Sequence, residues 1–352
     1  MILDSKLHNQ PLCLALDNAD KTNIYKTVKD LVAKNSKNIT LVGCILHEAH
    51  DWNSIETQQI QHFKDACAFY KVEDSCLIVN DTYQQSSYKN NLMPTFCINF
   101  FAVDCFYRLS HLEQEVNPFW NCSAAKSLFL TGKANKYNRV GLLALLKEKN
   151  MLDNVEYSFF PTKNNLKETE KIYKQFTTYP FKKFCLKYTS SPDNIKVSDS
   201  ENGTHYSGYP FDSLIYKNTL FSIIAESEFD GEPIWITEKT YKTIANRHPF
   251  IMAGQPNSLR FLKNLGFHTF EEFCHVKNYD EILDNKKRID AIVQNTKYLK
   301  EELYKNRQTV SRLVNENYDN LRSLFEKELE SVPYFADNSF FNDFFEMNRI
   351  HN

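Results

Sequence analysis

Apolar positions along this chain fall into two alternating rhythms, short unbroken runs and stretches of helical period. Ile24, Val28, Leu31 and Val32 share one face of a helix. The run 38–46 reads as a buried strand, and 55–70 as a second helix with Ile60, Phe63 and Cys67 facing inward. Residues 75–79 read as another strand, and 95–101 as a further apolar run. Such alternation predicts a Rossmann-like domain. A second series follows, with a strand at 127–130, an amphipathic helix at 139–149, a strand at 155–160 and a helix over 166–175. Residues 177–208 are irregular and rich in Ser, Asn, Asp and Pro, and 190–208 is either a lid over a ligand or a disordered insertion. A helix over 258–265 is closed by Gly266 at the C′ position. Beyond it, Ile289, Ile292, Val293, Thr296 and Leu303 form one helical stripe, and Val310, Leu313, Val314, Leu321, Leu324 and Phe325 another. The pattern divides into an N-terminal domain, 1–122, and a C-terminal domain, 123–352, with terminal helices packed on the chain's own domains.

The window 220–256, LFSIIAESEFDGEPIWITEKTYKTIANRHPFIMAGQP, is the most informative. An apolar run ends in Glu226, a polar connection follows, and Ile236-Thr237-Glu238-Lys239 opens a helix-like segment. The run 249–253 closes it at Gly254, completing a βαβ unit. Ligands of open α/β sheets bind at loops on the carboxyl ends of strands. Lys239 falls in the first turn after a Thr237 N-cap, where an ammonium and unpaired amides can face one phosphate. Glu238 is placed to accept hydrogen bonds from sugar or ribose hydroxyls. The alternative is a capped surface helix with a solvated Glu-Lys pair.

This window resembles the donor-binding core of the α-1,3-fucosyltransferases and of fucosyltransferase-like glycosyltransferases from bacteria and phages. Those enzymes carry a strand ending in Glu-Asn-Ser, then Tyr-x-Thr-Glu-Lys, a short helix and a strand around Val-Pro-Val-x-x-Gly. The counterparts here are Glu226-Ser227, Trp235-Ile236-Thr237-Glu238-Lys239 and His248-Pro249-Phe250-Ile251. Two positions depart: no Asn follows Glu226, and Trp235 stands for Tyr. The resemblance implies an α/β fold of the GT-B kind, two Rossmann-like domains facing across a cleft. It implies an inverting transfer from a GDP- or UDP-linked sugar to a carbohydrate or other hydroxyl acceptor. Glu238 and Lys239 would touch the donor, with Glu226, Trp235 and Thr237 beside them.

Two further segments carry chemistry. Leu130-Thr131-Gly132-Lys133 precedes a helix opening at Asn138-Arg139 but lacks the second Gly and the Ser/Thr of a phosphate-binding P-loop. Arg139 is the better cation there, able to hold a diphosphate through two parallel hydrogen bonds; Lys133 is the weaker one, and solvated residues at a helix N-terminus are the competing reading for both. In the first domain, Leu46-His47-Glu48-Ala49-His50-Asp51 directly follows a strand. An inverting transfer needs a base for the acceptor hydroxyl, supplied in GT-B enzymes by the first domain. Glu48 leads, then His50 and His47, with Asp51, Asp81 and Asp104 in reserve. A polar loop cap is the competing reading, and His-Glu-x-His is not the zinc-binding helix pattern. No Asp-x-Asp stands after a strand, so a metal-independent transfer without a cofactor is expected. Tyr83, Tyr206, Tyr209 and Trp235 are the aromatics able to stack on a sugar or base.

Composition narrows the field. The 352 residues carry 42 basic and 44 acidic side chains, which gives no electrostatic footprint of a dedicated nucleic-acid binder. Nucleic acid is then expected only as an acceptor, through transfer onto a modified base in DNA. The other rival is a catalytically silent carbohydrate- or nucleotide-binding protein on the same fold. Nine scattered cysteines, an odd number with no C-x-x-C pair, suggest reduced thiols and a cytoplasmic setting. No apolar span reaches the roughly twenty residues needed to cross a bilayer.

Overall fold

The computed structural model describes residues 10–16, 19–34, 39–46, 55–72, 74–80, 94–111, 119–133, 137–160, 213–231, 233–336, 340–342 and 344–345. Two compact units emerge, Met1–Asp104 together with Leu324–Asn352, and Cys105–Ser323. Each holds a four-stranded parallel sheet with helices, so the chain is α/β.

In the first unit the order is β1 (Gln10–Ala15), α1 (Lys21–Lys34), β2 (Ile39–Ile45), α2 (Ile55–Phe69), β3 (Asp74–Asn80) and β4 (Thr95–Ile98), and α3 (Phe100–His111) starts there and continues into the second unit from Cys105. The strands pair in chain order, β1-β2-β3-β4, all parallel. Every residue of β2 is buried, as expected of a parallel strand covered on both faces. Ile39, Leu41 and Ile45 point to one core with Ile24 and Val28 of α1 and Ile60, Phe63 and Cys67 of α2. Gly43 shares that face because nothing larger fits: a Cβ there would lie 2.7 Å from Leu16 Cδ1 and 2.9 Å from Phe63 Cε1.

The apolar run 95–101 is not one element. It breaks at Asn99, whose side chain accepts from the Ala102 N–H (3.4 Å), and α3 begins at Phe100. Asp104 therefore sits inside a helix, buried, rather than at a strand end or in a loop. The same unit gathers Phe100, Phe335, Phe340, Phe341, Phe344 and Phe345, with Phe100 and Phe345 stacked at 6.2 Å.

The second unit contains β5 (Lys126–Lys133), α4 (Tyr137–Glu148), β6 (Val155–Phe160), α5 (Ser213–Lys217), β7 (Thr219–Ala225), α6 (Glu238–Ala245), β8 (Phe250–Ala253), α7 (Ser258–Asn264) and α8 (Asn285–Lys305). Helix α9 (Arg307–Ser331) follows, and its residues from Leu324 on belong to the first unit. The sheet order is β6-β5-β7-β8, again all parallel. From β5 the chain steps to β6 on one side, and β7 then takes β5's other side. This reversal makes a topological switch point between β5 and β7. Among the described strands of the first unit no such reversal occurs. Helix α7 ends as the sequence suggests: Gly266 is left-handed (φ +87°), with Gly266 N–H donating to Lys263 O and Phe267 N–H to Leu262 O. Both bonds of a Schellman closure are present. On β8 the Met252 N–H donates to the Tyr279 hydroxyl at 3.0 Å.

None of the eight described cysteines is in a disulfide, and burial pushes Cys67, Cys76 and Cys274 up to about 12. No described helix is long and apolar enough to cross a membrane.

Candidate functional site

The site is built where β7 leaves the second sheet. Glu226 follows the last strand residue, its N–H still donating to Ala253 O of β8 at 3.0 Å. Its side chain is 0% exposed. Oε1 accepts from the Thr237 N–H (3.2 Å) and the Thr240 hydroxyl (2.5 Å), and Oε2 accepts from the Thr237 hydroxyl (2.5 Å). Burial pushes this carboxyl above its ordinary value, opposed by the Lys239 charge and the two threonine hydroxyls. A buried carboxylate is costly unless its lone pairs are filled, and here the mouth of α6 fills them.

Thr237 is the N-cap of α6, extended at φ −112°, ψ −178°, and its hydroxyl oxygen accepts from the Lys239 N–H. The same oxygen accepts from Lys239 Nζ at 3.1 Å. That ammonium also donates to Glu238 Oε1 (2.8 Å) and reaches Ser227 Oγ at 3.4 Å. The side chains of Lys239 and Glu238 are 23% and 16% exposed, which makes them the accessible members of the cluster. Burial works against the charge of Glu238, but Lys239 first and Lys242 after it outweigh that, and its carboxyl sits below the ordinary value. Its place in the first turn, with Lys242 four residues on, favours the anion further.

The loop between β7 and α6 is held from behind. Gln255, buried just after β8, accepts from the Trp235 N–H (2.6 Å) and donates to Gly231 O (2.9 Å) and Pro233 O (2.7 Å). Gly254 before it lets α7 approach, since a Cβ would lie 2.8 Å from Ser258 Oγ. Buried Arg288 of α8 donates to Phe229 O and Ile282 O, with its guanidinium 4.0 Å from the Phe229 ring centre. His248 locks β7 to the start of β8. Its Nε2 lies 2.8 Å from the acceptor Thr219 O, which fixes the proton there and leaves Nδ1 to accept from Ser222 Oγ at 2.8 Å. Burial pushes this imidazole down to about 4, so it is neutral.

On the other side of the switch point, α4 begins at Tyr137. Asn138 Nδ2 donates to Glu226 O at 3.0 Å, tying the start of α4 to the end of β7. Arg139, next along, is 6% exposed.

The sequence-derived set therefore divides. Glu226, Thr237, Glu238 and Lys239 form one hydrogen-bonded group, with Arg139 next to its Asn138 anchor. Trp235 is 4% exposed, so its ring is packed in the protein rather than offered as a platform for a sugar. Glu48, His47 and His50, with Asp51, Asp81, Tyr83, Tyr206 and Tyr209, lie outside the described residues, as do the helix expected over 166–175 and the candidate lid. Sequence reading missed Asn138, Thr240, Gln255 and Arg288. Asn138 and Gln255 each stand at a strand's carboxyl-end connection, which is a usable signal; Thr240 and Arg288 gave none. Among the described residues no group of three or more His, Cys, Asp or Glu side chains is arranged to hold a metal. Comparison of the chain with protein-family models, curated proteins and solved structures gives no match.

Proposed function

We propose that this protein is a glycosyltransferase of GT-B arrangement that transfers a sugar from a GDP- or UDP-linked donor to an acceptor hydroxyl. The observation carrying this reading is the Lys239 ammonium, accessible at the N-terminal mouth of α6 and beside the switch point of the second sheet. Departure of a nucleoside diphosphate builds negative charge, and a fixed cation at a helix N-terminus is suited to stabilise it. Arg139, opening α4 on the neighbouring side, is the second cation. Glu238, held charged, accepts from donor hydroxyls. The acceptor lies against the first domain, where Glu48, with His50 and His47 behind it, takes the acceptor's proton as the sugar is attacked from the face opposite the leaving group. No step is assigned to a metal ion.

Thermal denaturation against a panel of GDP, UDP and their sugars tests this reading, each with and without divalent ions. A ligand at a hundredfold excess over Kd adds about 2.7 kcal/mol. The expected result is a raised midpoint with one diphosphate family and none with the divalent ion alone. A flat response across the panel refutes donor binding.

A further inference from the structure

We propose that Glu226 is a positioning residue for Lys239, acting through the Thr237 hydroxyl and never touching a ligand. This deepens the donor-site reading and rests on it. Glu226 has no exposed surface, and three donors converge on its two carboxyl oxygens. Each threonine hydroxyl directs its single proton at a carboxyl oxygen of Glu226. For Thr237 this decides where the lone pairs point. They face Lys239 and accept from both its backbone N–H (3.5 Å) and its ammonium (3.1 Å).

The relay runs from buried carboxyl to hydroxyl to accessible ammonium. Thr240, one turn into α6, donates to Oε1 and so fixes the helix's rotation about its axis. The Glu226 carbonyl, accepting from Asn138 Nδ2, ties the same residue to the start of α4. Glu226 therefore sets the direction of the Lys239 side chain while Glu238 alone meets a donor's hydroxyls. A residue in this role affects diphosphate binding only as long as Lys239 is present to be held.

The test is a double-mutant cycle read by calorimetric titration of GDP and UDP. Glu226→Gln is expected to weaken binding about tenfold in the native background. In a Lys239→Met background the same change should cost less than about twofold, because the residue acted on is gone. An equal loss in both backgrounds overturns the proposal. Thr237→Val, which keeps the shape and removes the hydroxyl, should match Glu226→Gln, while Thr237→Ser should restore binding. These two variants decide the matter if Glu226→Gln does not fold. A ligand-free arm measures labelling of Lys239 by an amine-reactive reagent, followed by mass spectrometry. Labelling several-fold faster in Thr237→Val than in Thr237→Ser supports the relay, and equal rates overturn it. A native protein that binds neither diphosphate refutes the donor-site reading, and the labelling arm still judges the relay by itself.

Discussion

Two buried groups in the second unit pull its stability in opposite directions with pH, and removing either should unmask the other. Asp280 is 4% exposed, its Oδ2 accepting from the Leu259 N–H at the start of α7 at 2.8 Å. Burial, with Glu271 adding to it, pushes this carboxyl up from 3.8 to about 7 against the pull of the Leu259 N–H and, after it, Arg288. Between those values the folded chain holds a proton that the unfolded chain has lost, so this contribution to stability falls as pH rises from about 4 to about 7. His248 does the reverse. Its value drops from 6.5 to about 4, so the unfolded chain binds the extra proton and stability falls as pH drops through that window. A tenfold difference in proton affinity between the folded and unfolded chain is worth about 1.4 kcal/mol. That sets ceilings of about 4 kcal/mol for Asp280 and about 3 kcal/mol for His248. Local relaxation and water entry should bring each to about half its ceiling. Over pH 4 to 6.5 the two slopes oppose each other. Asp280→Asn keeps an acceptor for Leu259 and removes the charge. Urea unfolding followed by tryptophan fluorescence, from pH 4.5 to 7.5, measures the difference. The variant should gain about 2 kcal/mol on native protein between the acid and neutral ends. Stability curves that run parallel at all pH values would refute the reasoning.

Other substitutions test the packing within each unit. Gly43→Ala forces a methyl to within 2.7 to 3.0 Å of Leu16, Phe63 and Leu77, and should lower first-unit stability by about 1–3 kcal/mol in chemical denaturation. An unchanged midpoint would mean that this core yields freely. Gln255→Ala removes the bonds to Trp235, Gly231 and Pro233 and should cost about 2–4 kcal/mol. Amide exchange at Trp235 should speed up in the same variant; unaltered protection there would show that the loop is held by other contacts.

What was legible in the sequence was what local chemistry decides. Thr237 caps α6 because a short hydroxyl side chain can reach the second amide of the helix, and that signal lies within three residues. Gly266 closes α7 for an equally local reason, its tolerance of positive φ. The long apolar runs became β2, β7 and β8. Helix α3 was hidden because Phe100, Phe101, Ala102 and Val103 continue the apolar run of β4, and only the Asn99 cap separates them. β1, opening on Gln10-Pro11, gave too weak a pattern to be read as a strand. At the site, the resemblance places Glu226 beside a donor, and its side chain is 0% exposed. Its burial follows from Thr237 and Thr240, eleven and fourteen residues later, folding back over it. Nor does periodicity announce that Arg288 will hold the Phe229 carbonyl from 59 residues away.

The most direct test is calorimetric titration of GDP and UDP into the native protein and into Lys239→Ala. If the ammonium at the mouth of α6 grips the diphosphate, the variant should lose more than about 1.5 kcal/mol of binding, upward of tenfold in Kd, for whichever diphosphate binds. Equal affinity in the two proteins would contradict the account.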